Sequence, residues 1–587
     1  MKRKMKWLLL TAVATFCITG IASADHRSYD HDSSIMVNNY YSGEKIKRGS
    51  GGHGHNHSGG GSGGSTTPPA TTTPAITPAP GTQLFAWNDL GMHCADSDFS
   101  IFTLLPPFNN LNAQLVVNSK LVSTGYTLTY EALADSTGSI NTSSQNKTNF
   151  WEFVQPLFGS SPLPEVGLTG FTMASHNPAS LLWNTTYNWF EATGIPITPL
   201  DDNMNTNNYP MVRVVASDSF GQAIATSDTV LPISSEINCG VCHSSNTGNL
   251  NAEPPSGWVN LAIGSDVDWR MNVLRLHDEL NNYVGNLEAS AIAGSPVLCD
   301  SCHNSNALAV WGIVGKTDVS NMTAAMHSVH AAVSLPGSSS TLDEDGTRDA
   351  CYNCHPGRDT QCLRGAMGNP IDTSGNHEME CQSCHGSMAD VGRNARNGWF
   401  DVPKCQSCHH DGVREISAIN TDGSAKVWAD SRFASNDNVP EAGTSLYRFS
   451  VGHGDLQCAA CHNSPHAEFT DIPSGNGSEI NDFKRAIDAQ GYAAAIRECT
   501  VCHASTPSTV KGGPHGMHPV GQTWVSAHHN DSTFRTEPKS ECFYCHGSSS
   551  TGSSLAVVKV DKVLAGRTFK AGTRVTCWSC HSGPNSD

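Results

Sequence analysis

The stretch CQSCHGSMADVGRNARNGWFDVPKCQSCH, residues 381–409, has the same five-residue pattern at both ends: two cysteines separated by two residues and followed at once by a histidine. This pattern, C-x-x-C-H, occurs nine times in the 587-residue chain and uses 18 of its 21 cysteines. The copies lie at 239–243, 299–303, 351–355, 381–385, 405–409, 458–462, 499–503, 542–546 and 577–581. The function of this repeated motif therefore determines how the C-terminal half of the chain folds.

The pattern is the attachment signature of c-type haem, in which two thiols bond to the porphyrin and the next histidine ligates the iron. Zinc ribbons and thioredoxin-like sites do not need a histidine after every cysteine pair. The sequence therefore predicts nine covalently attached haems. The predicted attachment cysteines are Cys239, Cys242, Cys299, Cys302, Cys351, Cys354, Cys381, Cys384, Cys405, Cys408, Cys458, Cys461, Cys499, Cys502, Cys542, Cys545, Cys577 and Cys580. The predicted proximal ligands are His243, His303, His355, His385, His409, His462, His503, His546 and His581.

Residues 236–587 are predicted to form a nine-haem domain of short helices and long loops. The motifs occupy residues 239–581, about 38 residues for each haem, so the porphyrins themselves would form most of the core. The spacing between motifs is irregular, which excludes a repeat of fixed period.

The other histidines are candidates for the sixth position of each iron. Of 27 histidines, nine belong to motifs and five precede residue 58, which leaves thirteen for nine positions. Local context favours His277, His327, His330, His377, His453, His466, His515, His518 and one of His528 and His529 as distal ligands. The histidines left without a predicted role as ligand are His93, His176, His410 and the second residue of the pair His528 and His529. Met326 and Met517 are the rival ligands, and we interpret both as packing residues.

Two clusters of these histidines are expected to serve more than one haem each. His327 and His330 lie three residues apart in NMTAAMHSVHAAV, so one helix could present both. In PHGMHPVGQTWVSAHH, residues 514–529, proline and glycine interrupt regular structure, so His515 and His518 can point toward different haems.

The N-terminal residues predict export. Residues 1–24, MKRKMKWLLLTAVATFCITGIASA, have the basic start, apolar run and small-residue end of a signal peptide. Its loss removes four basic residues and no acidic one, so the formal charge changes from −18 to −22. Nucleic acids and anionic membranes are unsuitable partners for such a protein. No later stretch reaches the roughly 18 apolar residues of a transmembrane helix.

Residues 25–81, rich first in Gly, Ser and His and then in Pro and Thr, are predicted to be a flexible linker. Residues 82–235 contain alternating segments, among them GLTGFTMAS at 167–175, that predict strands of a β-rich, sandwich-like domain, with an irregular sheet as the alternative. A hairpin is predicted to turn at Asp218 to Gly221. Cys94 and Cys362 lie outside the motifs, and an oxidising compartment would allow a disulfide between them, although free thiols are the alternative.

Several longer stretches resemble the large multihaem c-type cytochromes that metal-reducing and related bacteria export for extracellular electron transfer. The resemblance covers most of residues 84–581. It rests on WNDLGMHCADSDFSIFTLLPPFN, LRLHDE, CHPGRDTQCLRGAM, CHGSMADVGRNARNGWFDVPKCQSCH and CHNSPHAE. It implies low-spin haems with two histidine ligands each, arranged in near contact, in the periplasm or at the outer surface.

The first functional hypothesis is an electron carrier rather than an enzyme, although metal reduction would be an oxidoreductase activity. Its partners would be other c-type cytochromes, components of an outer-membrane conduit, and metal ions, metal oxides or an electrode as acceptors. One alternative is a multihaem reductase of nitrite, tetrathionate or a similar small oxyanion. Such enzymes usually keep one iron open, often with lysine in place of the motif histidine, whereas all nine motifs here end in histidine. A second alternative is a subunit of a cytochrome filament.

Overall fold

The computed structural model of the protein describes residues 72–581, except for 90, 238, 282–285, 306, 309–311, 336, 394–402, 404–406, 411–412, 427–450, 470–476, 510, 529–538 and 548–550. The predicted signal peptide 1–24 and residues 25–71 of the predicted linker lie outside this part of the chain. The described residues all belong to one unit, His57–Asp587.

Strands dominate the chain up to residue 234. They are β1 (Gln83–Asn88), β2 (His93–Cys94), β3 (Phe102–Thr103), β4 (Phe108–Val117), β5 (Lys120–Val122), β6 (Thr127–Leu133), β7 (Ala179–Ser180), β8 (Leu182–Asn184), β9 (Trp189–Pro196), β10 (Met211–Ser217), β11 (Ala223–Val230) and β12 (Ile233–Ser234). One antiparallel sheet has the order β1-β4-β9-β8, with β5 paired to β4, and a second has the order β11-β10-β6-β7. The prediction of a strand-rich N-terminal region is confirmed.

The two sheets share one hydrophobic core because their strands alternate apolar residues toward each other. Leu84 and Leu115 of the first sheet pack in one cluster with Tyr130 and Val214 of the second. The predicted hairpin joins β10 to β11, where the Asp218 amide donates to the Gln222 carbonyl over 2.9 Å. This pair of sheets forms the N-terminal body of the protein.

The outer face of the first sheet supports the region that contains the motifs. Phe85 and Trp87 point away from the core between the sheets and pack with Leu456, Phe469 and Phe483. A parallel pairing of Val297–Leu298, β13, with β3 adds a main-chain connection between the two regions. The β-rich region is thus packed directly against the motif-bearing chain.

Short helices and loops make up the described chain after residue 236, as the sequence predicts. The α-helices are Gly240–His243, Asp266–Asn281, Leu287–Ile292, Met322–His330, Arg348–Cys351, Gly365–Gly368, Cys381–His385, Met388–Val391, Cys458–His462, Gly477–Gln490, Gln522–Ala527 and Lys539–His546, and an earlier one, Phe150–Phe158, lies in the β-rich region. Two further hairpins pair His409–His410 with Val413–Arg414 and Lys562–Leu564 with Arg567–Phe569. Among the described residues, no helix has both the length and the apolar character needed to cross a bilayer.

Candidate haem sites

A single large cavity extends through the motif-bearing region. Its volume is about 3880 Å³, several times the roughly 300–1,000 Å³ of a pocket for one small molecule. All 17 motif cysteines of the described residues line it, as do eight motif histidines. Protein interiors are otherwise packed without voids much larger than a water molecule, so a space of this size fits a set of large cofactors.

Each described motif folds into about one turn that directs its three functional side chains to the same side. The amide of His243 donates to the carbonyl of Cys239 over 2.9 Å, and the amide of His503 donates to Cys499 over the same distance. In such a turn, residues three and four positions apart lie on one face. Both sulfurs and the imidazole therefore face the cavity together.

Opposite each of eight motif histidines lies a second histidine. The ring centres are 6.3 Å apart for His243 and His330, 6.3 Å for His303 and His277, 6.0 Å for His355 and His327, 6.2 Å for His385 and His466, 5.9 Å for His462 and His515, 6.0 Å for His503 and His453, 6.3 Å for His546 and His518, and 6.1 Å for His581 and His528. All eight second histidines were predicted as distal ligands. We name each site by the first residue of its motif, so the 239 site contains His243 and His330.

The separation of the rings fits a metal ion between them. Metal–imidazole bonds of about 2 Å on both sides place the ring centres about 6 Å apart. The ring centres of all eight pairs lie 5.9 to 6.3 Å apart, and the pairs come from different parts of the chain. Ordinary packing would not repeat one ring spacing eight times, so the residues present fit haem held between two histidines.

Hydrogen bonds orient several of these rings for ligation through Nε2. Nδ1 of His327 lies 2.8 Å from the Thr323 carbonyl oxygen, and Nδ1 of His330 lies 2.6 Å from that of Met326. Nδ1 of His303 lies 2.9 Å from the Ser320 carbonyl oxygen. A carbonyl oxygen only accepts, so Nδ1 must hold the proton and Nε2 keeps the lone pair that binds metal.

Burial keeps several of the paired imidazoles in their neutral form. Burial, and to a smaller extent the neighbouring His330, lowers the pKa of His243 to about 4. Burial likewise lowers the pKa of His355 and that of His518 to about 4. Since a protonated imidazole cannot ligate iron, these surroundings favour the ligand form at neutral pH.

A buried ion pair lies close to the 239 and 299 sites. Arg270 and Asp96 are both almost fully buried and their side chains approach to 3.0 Å. The charges of both influence Cys239 and Cys299, whose pKa values burial raises to about 12. Neither residue was predicted from the sequence to belong to a site. The only feature of the sequence that could have indicated the pair is Arg270, an arginine in the predicted helix that contains His277.

The remaining predicted ligands have different positions. His377 is exposed, next to a turn closed by a bridge to Ile371, and does not line the cavity. Its ligation remains a prediction. The side chains of His409 and His410, and the whole of Cys405 and His529, lie outside the described residues. His93 lines the cavity and packs edge-on against Phe108, with ring centres 4.9 Å apart.

Two of the three cysteines outside the motifs, Cys94 and Cys362, are not joined in the structure. Cys94 and Cys362 both line the cavity as free thiols. Cys362 packs beside Tyr209 and Met211, and its sulfur lies 3.7 Å from Nδ1 of His466.

Motifs and paired histidines around one cavity define a multihaem c-type cytochrome. Residues 376–587, which include the last six motifs, match the family model described as outer membrane cytochrome MtrC/MtrF-like, domains II/IV. This match confirms the resemblance to multihaem cytochromes of extracellular electron transfer and supports association with the outer membrane. No curated protein and no solved structure matches the chain.

Proposed function

We propose that the protein binds nine c-type haems, each between two histidines, and passes electrons along them to an acceptor outside the cell or in the periplasm. The observation that supports this most directly is the set of eight histidine pairs with ring centres 5.9 to 6.3 Å apart. A haem ligated on both sides supplies one-electron redox chemistry and has no open iron position. The ligand sets therefore suit transfer of electrons and not activation of a substrate.

The ninth haem would bind to Cys405 and Cys408 with His409 as proximal ligand. Cys408 lines the same cavity as the other motif cysteines. The thiol of Cys408 also lies close enough to Cys384 to raise its pKa. The 405 site therefore adjoins the 381 site. We propose His377 as its distal ligand by elimination, because the other eight predicted distal histidines face other motif histidines.

Neighbouring sites share the elements that supply their ligands. His327 and His330 lie one turn apart on the helix Met322–His330 and pair with the 351 and 239 sites. His462 belongs to the 458 site, whereas His466, four residues later, pairs with the 381 site. Because such short segments cannot separate their side chains widely, these sites are adjacent.

Shared elements also connect the remaining sites to this series. His515 and His518 join the 458 site to the 542 site, and the thiols of Cys351 and Cys381 contact each other. Cys239 and Cys299 pack against one apolar cluster. Trp524 stacks on both His518 and His528, which connects the 542 and 577 sites, and Cys461 and Cys502 pack against one cluster, which connects the 458 and 499 sites. We infer the order 299, 239, 351, 381, 458, 542, 577, with the 405 site beside 381 and the 499 site beside 458.

The proposed electron acceptors rest on the family match and on the net charge of the chain. Outer-membrane cytochromes transfer electrons to other cytochromes, conduit components, metals or metal oxides. The strongly acidic chain, −22 after loss of the predicted signal peptide, favours cationic metals and basic partner surfaces.

Reoxidation kinetics test the function. We expect dithionite-reduced protein to be reoxidised by ferric citrate and to give no turnover with nitrite, hydroxylamine or tetrathionate. Sustained turnover with any of those three would favour the reductase alternative.

Protease treatment of intact cells followed by haem staining tests the location. Loss of the haem band would place the protein at the outer surface, and a protected band would place it in the periplasm.

A further inference from the structure

The indole of Trp524 lies against two of the paired histidines. Its ring stacks on that of His518, with centres 3.7 Å apart and planes inclined by 7°. The His528 ring centre lies 5.7 Å from that of the indole, with planes inclined by 17°. Three aromatic rings are thus almost parallel. The two imidazoles face His546 and His581, the motif histidines of two different sites.

The main chain of Trp524 adds a second constraint. Trp524 and His528 lie four residues apart, at the helix Gln522–Ala527 and its C-terminal end. Nδ1 of His528 lies 3.2 Å from the carbonyl oxygen of Trp524 and 2.9 Å from that of Val525. Nδ1 of His518 lies 3.0 Å from the carbonyl oxygen of Pro519. Each histidine is therefore held at one ring nitrogen and bounded by the indole on one side.

We propose that Trp524 is a positioning residue that sets the ring planes of His518 and His528, the distal ligands of the adjacent 542 and 577 sites. An imidazole bound to iron through Nε2 can otherwise rotate about that bond. The Nδ1 hydrogen bond limits this rotation, and the flat contact with the indole restricts it further. This inference rests on the proposed ligation of haem by the two histidines.

The angle between the two ligand planes determines the shape of the low-spin ferric resonance. Parallel planes give a rhombic signal of moderate anisotropy, and perpendicular planes give a signal with one very large g-value. Among the eight described pairs, His518 with His546 and His327 with His355 are nearly parallel, at 13° and 15°. The other six are inclined by 60° to 88°. Among the described sites, the 542 site therefore contributes one of the two parallel-plane signals.

The test replaces Trp524 by leucine and measures the electron paramagnetic resonance of the mature protein. In Trp524→Leu, His518 loses its flat neighbour, so we expect the parallel-plane signal to fall by about one third to one half, depending on the ligand planes of the 405 site, while haem content is unchanged. A redox titration should show two haems shifting together. Trp524→Phe keeps a flat ring and should restore most of the signal. Trp183→Leu is the control, since Trp183 packs against Phe190 in the β-rich region and does not line the cavity.

An unchanged resonance and unchanged potentials in Trp524→Leu, at full haem content, would overturn the proposal. If leucine prevents folding, Trp524→Met removes the flat ring while keeping an apolar side chain, and the same comparison with Trp524→Phe applies. A wild-type protein without low-spin signals from two-histidine haems would contradict the proposed function itself, which separates the two failures.

Discussion

Oε1 of Glu468 lies 2.9 Å from Nδ1 of His462, the motif histidine of the 458 site. At the 299 and 542 sites, the corresponding Nδ1 atoms face main-chain carbonyl oxygens of Ser320 and Val575. A carboxylate is a stronger acceptor than a carbonyl and makes the imidazole a better donor to a metal. The 458 site therefore differs electronically from these two.

Replacing Glu468 by glutamine should raise the reduction potential of one haem. A neutral amide oxygen withdraws less of the Nδ1 proton, so the imidazole stabilises ferric iron less. We expect a rise of roughly 30–60 mV, since about 59 mV corresponds to a tenfold change for a one-electron couple. Spectroelectrochemical titration measures it. Glu152→Gln, at an exposed position in the β-rich region, should leave every potential in place, and a fall in potential in Glu468→Gln would contradict the argument.

Removing His515 or His518 should open one iron each. His515 faces His462 and His518 faces His546, so each alanine variant loses a single ligand while both thiols of the site remain. We expect full haem attachment, one high-spin ferric signal and new carbon monoxide binding after reduction. His176→Ala, off the cavity, is the matched control. Two variants that stay low-spin and do not bind carbon monoxide would show that these histidines are not ligands.

The 405 motif should account for the ninth haem. The mass of the mature protein and the pyridine haemochrome assay should both give nine haems for the wild type and eight after the double change Cys405→Ser and Cys408→Ser. In the protein with all nine motifs intact, the single variant His377→Ala should create one high-spin haem, whereas His410→Ala should not. The reverse result would transfer the distal role to His410.

Glu236 should stabilise the protein in a pH-dependent way. Burial opposes ionisation of this carboxyl group, but hydrogen bonds from the Thr360 hydroxyl and the amides of Gly357, Asp359 and Thr360 outweigh it and lower its pKa. A lowered folded-state pKa means that the stabilisation is complete above the unfolded-state pKa and is lost as pH falls through the folded value.

Urea unfolding followed at the Soret band checks this expectation. At neutral pH, Glu236→Gln should be less stable by roughly 1–2 kcal/mol, a modest figure because the carboxylate is partly exposed. The free energies of unfolding of the wild type and of Glu236→Gln should become equal at acidic pH. A difference that stays constant from neutral to acidic pH would show that the charge of Glu236 is not involved.

The sequence predicted eight distal histidines that the structure places opposite motif histidines, with ring centres 5.9 to 6.3 Å apart. Motif spacing identifies the attachment residues because the chemistry is local. The proline and glycine residues around His515 and His518 also predicted their divergence. In the structure His515 has a φ of 56°, in the left-handed region, and the two rings face different motif histidines. Which histidine faces which motif was not predictable, because the partners lie up to 87 residues apart, as for His243 and His330.

The strands show the same limit. The segment GLTGFTMAS, residues 167–175, was predicted as a strand but forms only an isolated bridge between Val166 and Thr172, because Gly170 has a positive φ of 91° and turns the chain. Conversely, β9 lies in the middle of the first sheet although it contains Gly194 and ends at Pro196, residues typical of loops. Pairing with β4 outweighs these local preferences.

The cavity of about 3880 Å³ has a consequence for biosynthesis. Its walls are side chains that would meet water in a chain without cofactor, so the region from 239 to 581 has little core of its own to fold around. Maturation and folding are then one process, as in small metal-binding domains that are unfolded without their metal. A cell that exports this chain faster than it can supply haem would accumulate an unfolded polypeptide for its periplasmic proteases to remove.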